Sequence, residues 1–152
     1  DNTLKLWNIH SRECTLTFEG HADDVNAVVA DWLDMRALSG SDDCTLKLWN
    51  IDSGECALTL EGHTDCVNAV DVDWSRMRAL SASTDQTLML WNLDNGECTS
   101  RLAGDGRSIF EVVTNWPDRI TSEGKSIKRF KADSSDYVAT RKQCRVDGIP
   151  SP

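Results

Sequence analysis

The sequence predicts an all-β chain assembled from repeated four-stranded blades. Three observations predict it. Trp7, Trp49 and Trp91 stand 42 residues apart, as do Trp32, Trp74 and Trp116, and Gly20, Gly62 and Gly104. Residues 20–61 set against 62–103 without a gap give 26 identities in 42 positions, which is duplication, and a period of about 40–45 residues belongs to the propeller blade. Finally, the local pattern is that of strands. Val25-Asn26-Ala27-Val28, Thr45-Leu46-Lys47-Leu48-Trp49 and Thr87-Leu88-Met89-Leu90-Trp91 alternate or carry β-favouring residues, and no stretch holds a sustained helical stripe.

The elements follow in order. Asp1 aligns with Asp43 and Asp85, at a tight turn between a second and a third strand, so the chain is expected to open inside a blade. A half blade over 1–19 is then followed by blades over 20–61 and 62–103, with turn signals at Ser41-Asp42-Asp43, Asp52-Ser53-Gly54 and Asp94-Asn95-Gly96. A degraded blade is expected over 104–141. Asp105 stands where His is expected, Phe130 replaces Trp, Glu123-Gly124 occupies the turn position, and Arg129 aligns with Leu48 and Leu90. Residues 142–152, ending Gly148-Ile149-Pro150-Ser151-Pro152, read as a tail. About three and a half blades result, fewer than the four to eight that close a ring. The expectation is an open arc or a section of a larger propeller.

Composition bounds what such a chain can do. With 152 residues, 39% hydrophobic and 27% charged, it suits one globular domain, and no apolar run approaches the roughly 18 residues of a membrane helix. The net charge is -9. Residues 1–104 hold 7 basic and 18 acidic side chains (-11), and residues 105–152 hold 9 and 7 (+2). An acidic body argues against nucleic acid as the main ligand. Cys14, Cys56 and Cys98 are copies of one repeat position, too far apart in a stacked array for disulfides, and neither a CxxC nor a cluster of the three His marks a metal site. No cofactor or metal is expected. Reduced thiols favour an intracellular setting, cytoplasmic or nuclear by default.

Gly62-His63, a strand, and Ala79-Leu80-Ser81-Ala82-Ser83-Thr84-Asp85-Gln86-Thr87-Leu88-Met89-Leu90-Trp91-Asn92 together resemble a WD40 repeat, and Gly20-His21 through Trp49-Asn50 resembles another. The resemblance covers nearly the whole chain. It implies a β-propeller of four-stranded antiparallel blades. Trp-Asn stands in place of the usual Trp-Asp at Trp7, Trp49 and Trp91.

Three groups of residues invite a functional reading. His21, Ser39 and Asp43, and again His63, Ser81 and Asp85, have the composition of a catalytic triad. The resemblance instead implies, with Trp49 and Trp91, two buried structural tetrads, and two identical copies suit structure better than a single active site. Trp32, Trp74 and Trp116, each expected beside Arg36, Arg78 or Arg119, read either as inter-blade packing or as a partner-binding face, since Trp and Arg dominate interface energetics. Lys125, Lys128, Arg129 and Lys131 form a basic run, either a solvated strand or an anchor for an acidic partner, headgroup or nucleic acid.

No phosphate-cradling loop, nucleophile elbow or paired carboxylates stand out. The resemblance implies a non-catalytic scaffold that holds other proteins in an assembly, with partners covering the open edge of the arc. The alternative is the targeting propeller of a larger enzyme, such as the substrate receptor of a ubiquitin ligase.

Overall fold

The computed structural model describes residues 2–116 and two further stretches, 130–131 and 137–139. Strands β1 (Leu4–Asn8) and β2 (Glu13–Phe18) form a two-stranded antiparallel sheet. Strands β3 (Val25–Asp31), β4 (Arg36–Ser41), β5 (Leu46–Asn50) and β6 (Cys56–Leu60) form a four-stranded meander. A second meander holds β7 (Val67–Asp73), β8 (Arg78–Ser83), β9 (Thr87–Asn92) and β10 (Cys98–Ala103). The two share register: Ala37 faces Trp49 as Ala79 faces Trp91, and Arg36 faces Asn50 as Arg78 faces Asn92.

The last sheet departs from this plan. Strands β11 (Val113–Asn115), β12 (Phe130–Lys131) and β13 (Tyr137–Ala139) are ordered β11-β13-β12, so β13 lies directly beside β11. Among the described residues, that sheet lacks the strand which separates first from third in the two meanders.

Sequence explains the meanders. In β4 and β8 five consecutive residues are buried, and they are small or aliphatic: Ala-Leu-Ser-Gly-Ser and Ala-Leu-Ser-Ala-Ser. A strand covered on both faces needs such side chains, because neighbouring sheets approach closely. The outer strands β6 and β10 are mostly exposed. The turns are built from local side chains. Asn50 Oδ1 accepts the backbone N–H groups of Asp52 and Ser53 at 2.9 and 3.0 Å, Asn92 Oδ1 accepts that of Asp94, and Asn8 Oδ1 accepts those of His10 and Ser11. The Asn that replaces the usual Asp after each Trp thus nucleates its turn through the same oxygen position. Gly54 and Gly96 adopt φ of 77° and 78° in these turns, a conformation that favours glycine.

Apolar contacts stitch the sheets together in chain order. Phe18 with Leu4, Leu6 and Leu16 packs on Ala37, Trp49 and Ile51. Leu38, Leu46, Leu60, Val67, Val70 and Trp91 join the two meanders. Leu80, Ala82 and Leu88 meet Val112 and Trp116. Over the described residues the result is an all-β array that is open and not closed. No helix among the described residues is long and apolar enough to cross a membrane.

Candidate functional site

The structure brings His21, Ser39, Asp43 and Trp49 into one hydrogen-bonded chain. His21 Nδ1 lies 2.7 Å from Asp43 Oδ2, His21 Nε2 lies 2.7 Å from Ser39 Oγ, and Trp49 Nε1 donates to Ser39 Oγ at 2.8 Å. An ionised carboxylate only accepts, which fixes the proton order: Trp49 N–H to Ser39, Ser39 O–H to His21 Nε2, His21 Nδ1–H to Asp43. The second copy matches it. His63 stands 2.8 Å from Asp85 and 2.6 Å from Ser81, and Trp91 Nε1 donates to Ser81 at 2.8 Å. Ser39, Ser81 and both imidazoles are shut off from solvent.

A fifth member was missed in the sequence. Thr45 donates from Oγ1 and from its backbone N–H to Asp43 Oδ1, at 2.7 and 2.9 Å, and Thr87 treats Asp85 the same way at 2.6 and 2.9 Å. The signal was an Asp-x-Thr step at each turn. The residue between, Cys44 or Gln86, has φ of 69° or 71°, a left-handed conformation costly for a side-chain-bearing residue. The carboxylate bridges that turn back to the His loop, taking the N–H of Ala22 at 2.9 Å and of Thr64 at 3.1 Å.

Electrostatics follow from these bonds. Burial pushes the Asp43 carboxyl up, but hydrogen bonds from Thr45, the Ala22 N–H and His21 outweigh it and hold the group well below the usual carboxylate range. Asp85 is held low in the same way, against burial, by Thr87, His63 and the Thr64 N–H. Burial lowers the His63 pKa, and its contacts with Asp85 only partly offset this, so the imidazole stays neutral. Nearby, the Cys66 thiol is pushed up to about 12 by its hydrogen bond to Asp42, by burial and by Asp65, and Cys44 is raised by burial and the surrounding aspartates. Thiols held protonated are poor nucleophiles.

The Trp and Arg residues require a correction. Of the described arginines, Arg36 and Arg78 each lie over the Trp of the next repeat. Arg36 Cζ sits 5.2 Å from the Trp74 ring centroid, and Arg78 Cζ 4.9 Å from that of Trp116. The reason is that the Arg opens a second strand and points across the sheet-to-sheet seam, while Asp31 and Asp73 brace it from behind at 3.2 and 3.1 Å. Nor is the row a uniform exposed face. Trp116 is 5% exposed, Trp74 is half-buried and Trp32 is 63% exposed. Two further seam contacts escaped the sequence reading: Asn26 Nδ2 donates to the Val67 carbonyl at 3.1 Å, and Asn68 Nδ2 to that of Ile109 at 2.9 Å. Their signal was repetition of Asn at one position of β3 and β7. Arg119, Lys125, Lys128 and Arg129 lie outside the described residues, and Lys131 is placed only as a backbone position in β12.

The family model for the WD domain, G-beta repeat, matches residues 12–50 and 54–92, two spans of 39 that together make 78 of the 152 residues. No curated protein matches the chain. Each span starts in the turn before the outer strand of one sheet (β2 or β6) and ends on the third strand of the next (β5 or β9). WD40 repeats generally mediate protein–protein interaction and are typically non-catalytic. Matched repeats over half its length, twin His–Ser–Asp–Trp chains and four-stranded antiparallel sheets place one conclusion beyond the resemblance: the chain belongs to the WD40-repeat family.

Proposed function

We propose that the chain is a non-catalytic scaffold that holds other proteins in an assembly, with its tetrads serving the fold and its open face serving partners. One observation carries this reading. Both Ser–His–Asp sets have the distances of a nucleophilic triad, yet each serine is 0% exposed and its oxygen already takes the Trp N–H. A nucleophile needs a path to substrate and a free approach to its oxygen. Here both are occupied by the protein itself, twice over. Exposed Trp32 and Val28 supply instead the kind of surface that partners bury.

The test is partner capture on the immobilised 152-residue chain and on its Trp32→Ala variant, with melting temperature followed in parallel. Loss of a captured protein with unchanged melting is expected. Unchanged capture, or loss that only accompanies unfolding, would sink the reading.

A further inference from the structure

Asn95 is the one asparagine of the sequence that a glycine follows. In such a pair the backbone can react with its own side chain, because a residue without Cβ lets its nitrogen approach the amide carbon at little steric cost. The glycine nitrogen, once deprotonated, bonds to Cγ, the Cγ–Nδ2 bond breaks, and ammonia leaves with the proton. Water then opens the five-membered imide at either carbonyl, giving aspartate or an isoaspartyl link. The turn between β9 and β10 engages each group this chemistry needs. Asn95 Oδ1 accepts the Glu97 N–H at 3.0 Å, Asn95 Nδ2 donates to Glu97 Oε2 at 2.8 Å, and the Gly96 N–H donates to the Asn92 carbonyl at 2.9 Å. The turn between β5 and β6 makes the same bonds with a hydroxyl. Ser53 Oγ accepts the Glu55 N–H and donates to Glu55 Oε2, both at 3.3 Å, and the Gly54 N–H donates to the Asn50 carbonyl at 2.9 Å. Serine has no amide to lose, so the turn itself does not require asparagine.

We infer that Asn95 is a site of spontaneous deamidation, that the turn's three hydrogen bonds restrain the reaction, and that its product loosens the turn. While the turn is closed, the nucleophilic nitrogen is committed to Asn92 and the amide to Glu97. Reaction therefore draws on the fraction of molecules in which the turn has opened locally. The product does not close it again in the same way. A carboxylate at position 95 cannot donate to Glu97 and faces it as a like charge. An isoaspartyl link routes the main chain through the former side chain and lengthens it by one methylene. That shift acts on a packed residue: a Cβ on Gly96 would lie 3.3 Å from Leu58 Cδ1, and Leu58 packs against the core that joins the two meanders. The site is a one-way record of turn opening at the start of β10. It stands independently of the scaffold reading.

The experiment ages the full chain at mildly alkaline pH beside a synthetic peptide of residues 90–101. Amide-to-acid conversion is followed by mass in the tryptic peptide 79–101, with fragmentation to place it and an isoaspartyl methyltransferase to count isoaspartate. The folded chain is expected to convert at Asn95 about tenfold more slowly than the peptide, the effect of a few weak hydrogen bonds. Glu97→Ala should convert at a rate between the two. Asn95→Ser should gain no acid at position 95 and melt as the parent does, and Asn95→Asp should melt at a lower temperature. Equal rates in folded chain and peptide, or a Glu97→Ala rate no higher than the parent's, would overturn the restraint. No conversion at Asn95 in the folded parent or in Glu97→Ala, over a time in which the peptide is consumed, would overturn the site. Unchanged melting of Asn95→Asp together with unchanged melting of the aged chain would overturn the loosening.

Discussion

Ser81 shows how much depends on one hydroxyl. It accepts from Trp91 Nε1 and lies 2.6 Å from His63 Nε2, and all three groups are buried. Ser81→Ala strands the buried Trp91 Nε1 and His63 Nε2, at a cost of about 1–3 kcal/mol for each group. A lower urea midpoint with an unchanged slope is expected in equilibrium unfolding. An unmoved midpoint would show that the hydroxyl does not hold the tetrad together. The tetrad was legible because its four residue types recur at one spacing in both repeats. Thr45 and Thr87 were not read, though they stand two residues after each Asp. A threonine in a strand needs no special explanation, and only geometry shows two of its donors converging on one carboxylate oxygen. The seam pairing was illegible for another reason: in sequence Arg36 lies four residues from Trp32 and 38 from Trp74. Which of the two it covers depends on the stacking of sheets, which no local pattern encodes.

Among elements, β4 lies close against β7. A Cβ on Gly40 would lie 2.6 Å from Val67 Cγ1 and 3.2 Å from Val70 Cγ1. At the corresponding place in β8 stands Ala82, buried in the cluster where Ile109 packs. The same strand thus tolerates a methyl at one seam and excludes it at the other, according to the neighbour opposite. Gly40→Ala is expected to destabilise by about 1–3 kcal/mol through overpacking, more than the 0.4–1 kcal/mol or so returned by a less flexible unfolded chain. Adding Val67→Ala opens the space, so the double variant should lose less than the sum of the single losses in thermal unfolding. Strict additivity would remove the clash from the explanation. The meanders themselves were legible from repeat spacing and turn residues. The order of the last sheet was not, because the pairing of β13 with β11 joins strands more than 20 residues apart, which no local pattern encodes.

For the whole molecule, the tetrads shape the dependence of stability on pH, joined by Asp73, whose carboxyl is pushed up by burial but held low by Ser75 and Arg78. The folded carboxyls of Asp43 and Asp85 lie well below their ordinary 3.8, and folded His63 lies below its ordinary 6.5. All three shifts are downward, so on acidification the unfolded chain takes up each proton first, and stability falls as pH falls. The His63 contribution is complete above about pH 6.5 and declines beneath it. The two carboxylates contribute fully above about pH 4 and lose their contribution as they are protonated. Melting temperature should therefore be level from about pH 7 to 8, fall in a first step below pH 6.5 and more steeply below pH 4, and fall again above about pH 9, where the raised Cys66 and Cys44 thiols keep protons that the unfolded chain gives up. Each proton is worth about 1.4 kcal/mol per pH unit at most. His63→Gln should remove the upper step and keep the lower. A melting curve flat from pH 7 to 3 would contradict the assignment.

The seam between the meanders has a consequence for cooperativity. Each meander is one continuous stretch of chain, residues 25–60 and 67–103, so the two share no strand. What couples their unfolding is the apolar interface in which Leu38, Leu46, Leu60, Val67, Val70 and Trp91 are buried together. Melting one meander uncovers the face of the other. Nearest-neighbour coupling of this kind makes a linear array unfold in longer units than its sequence period suggests.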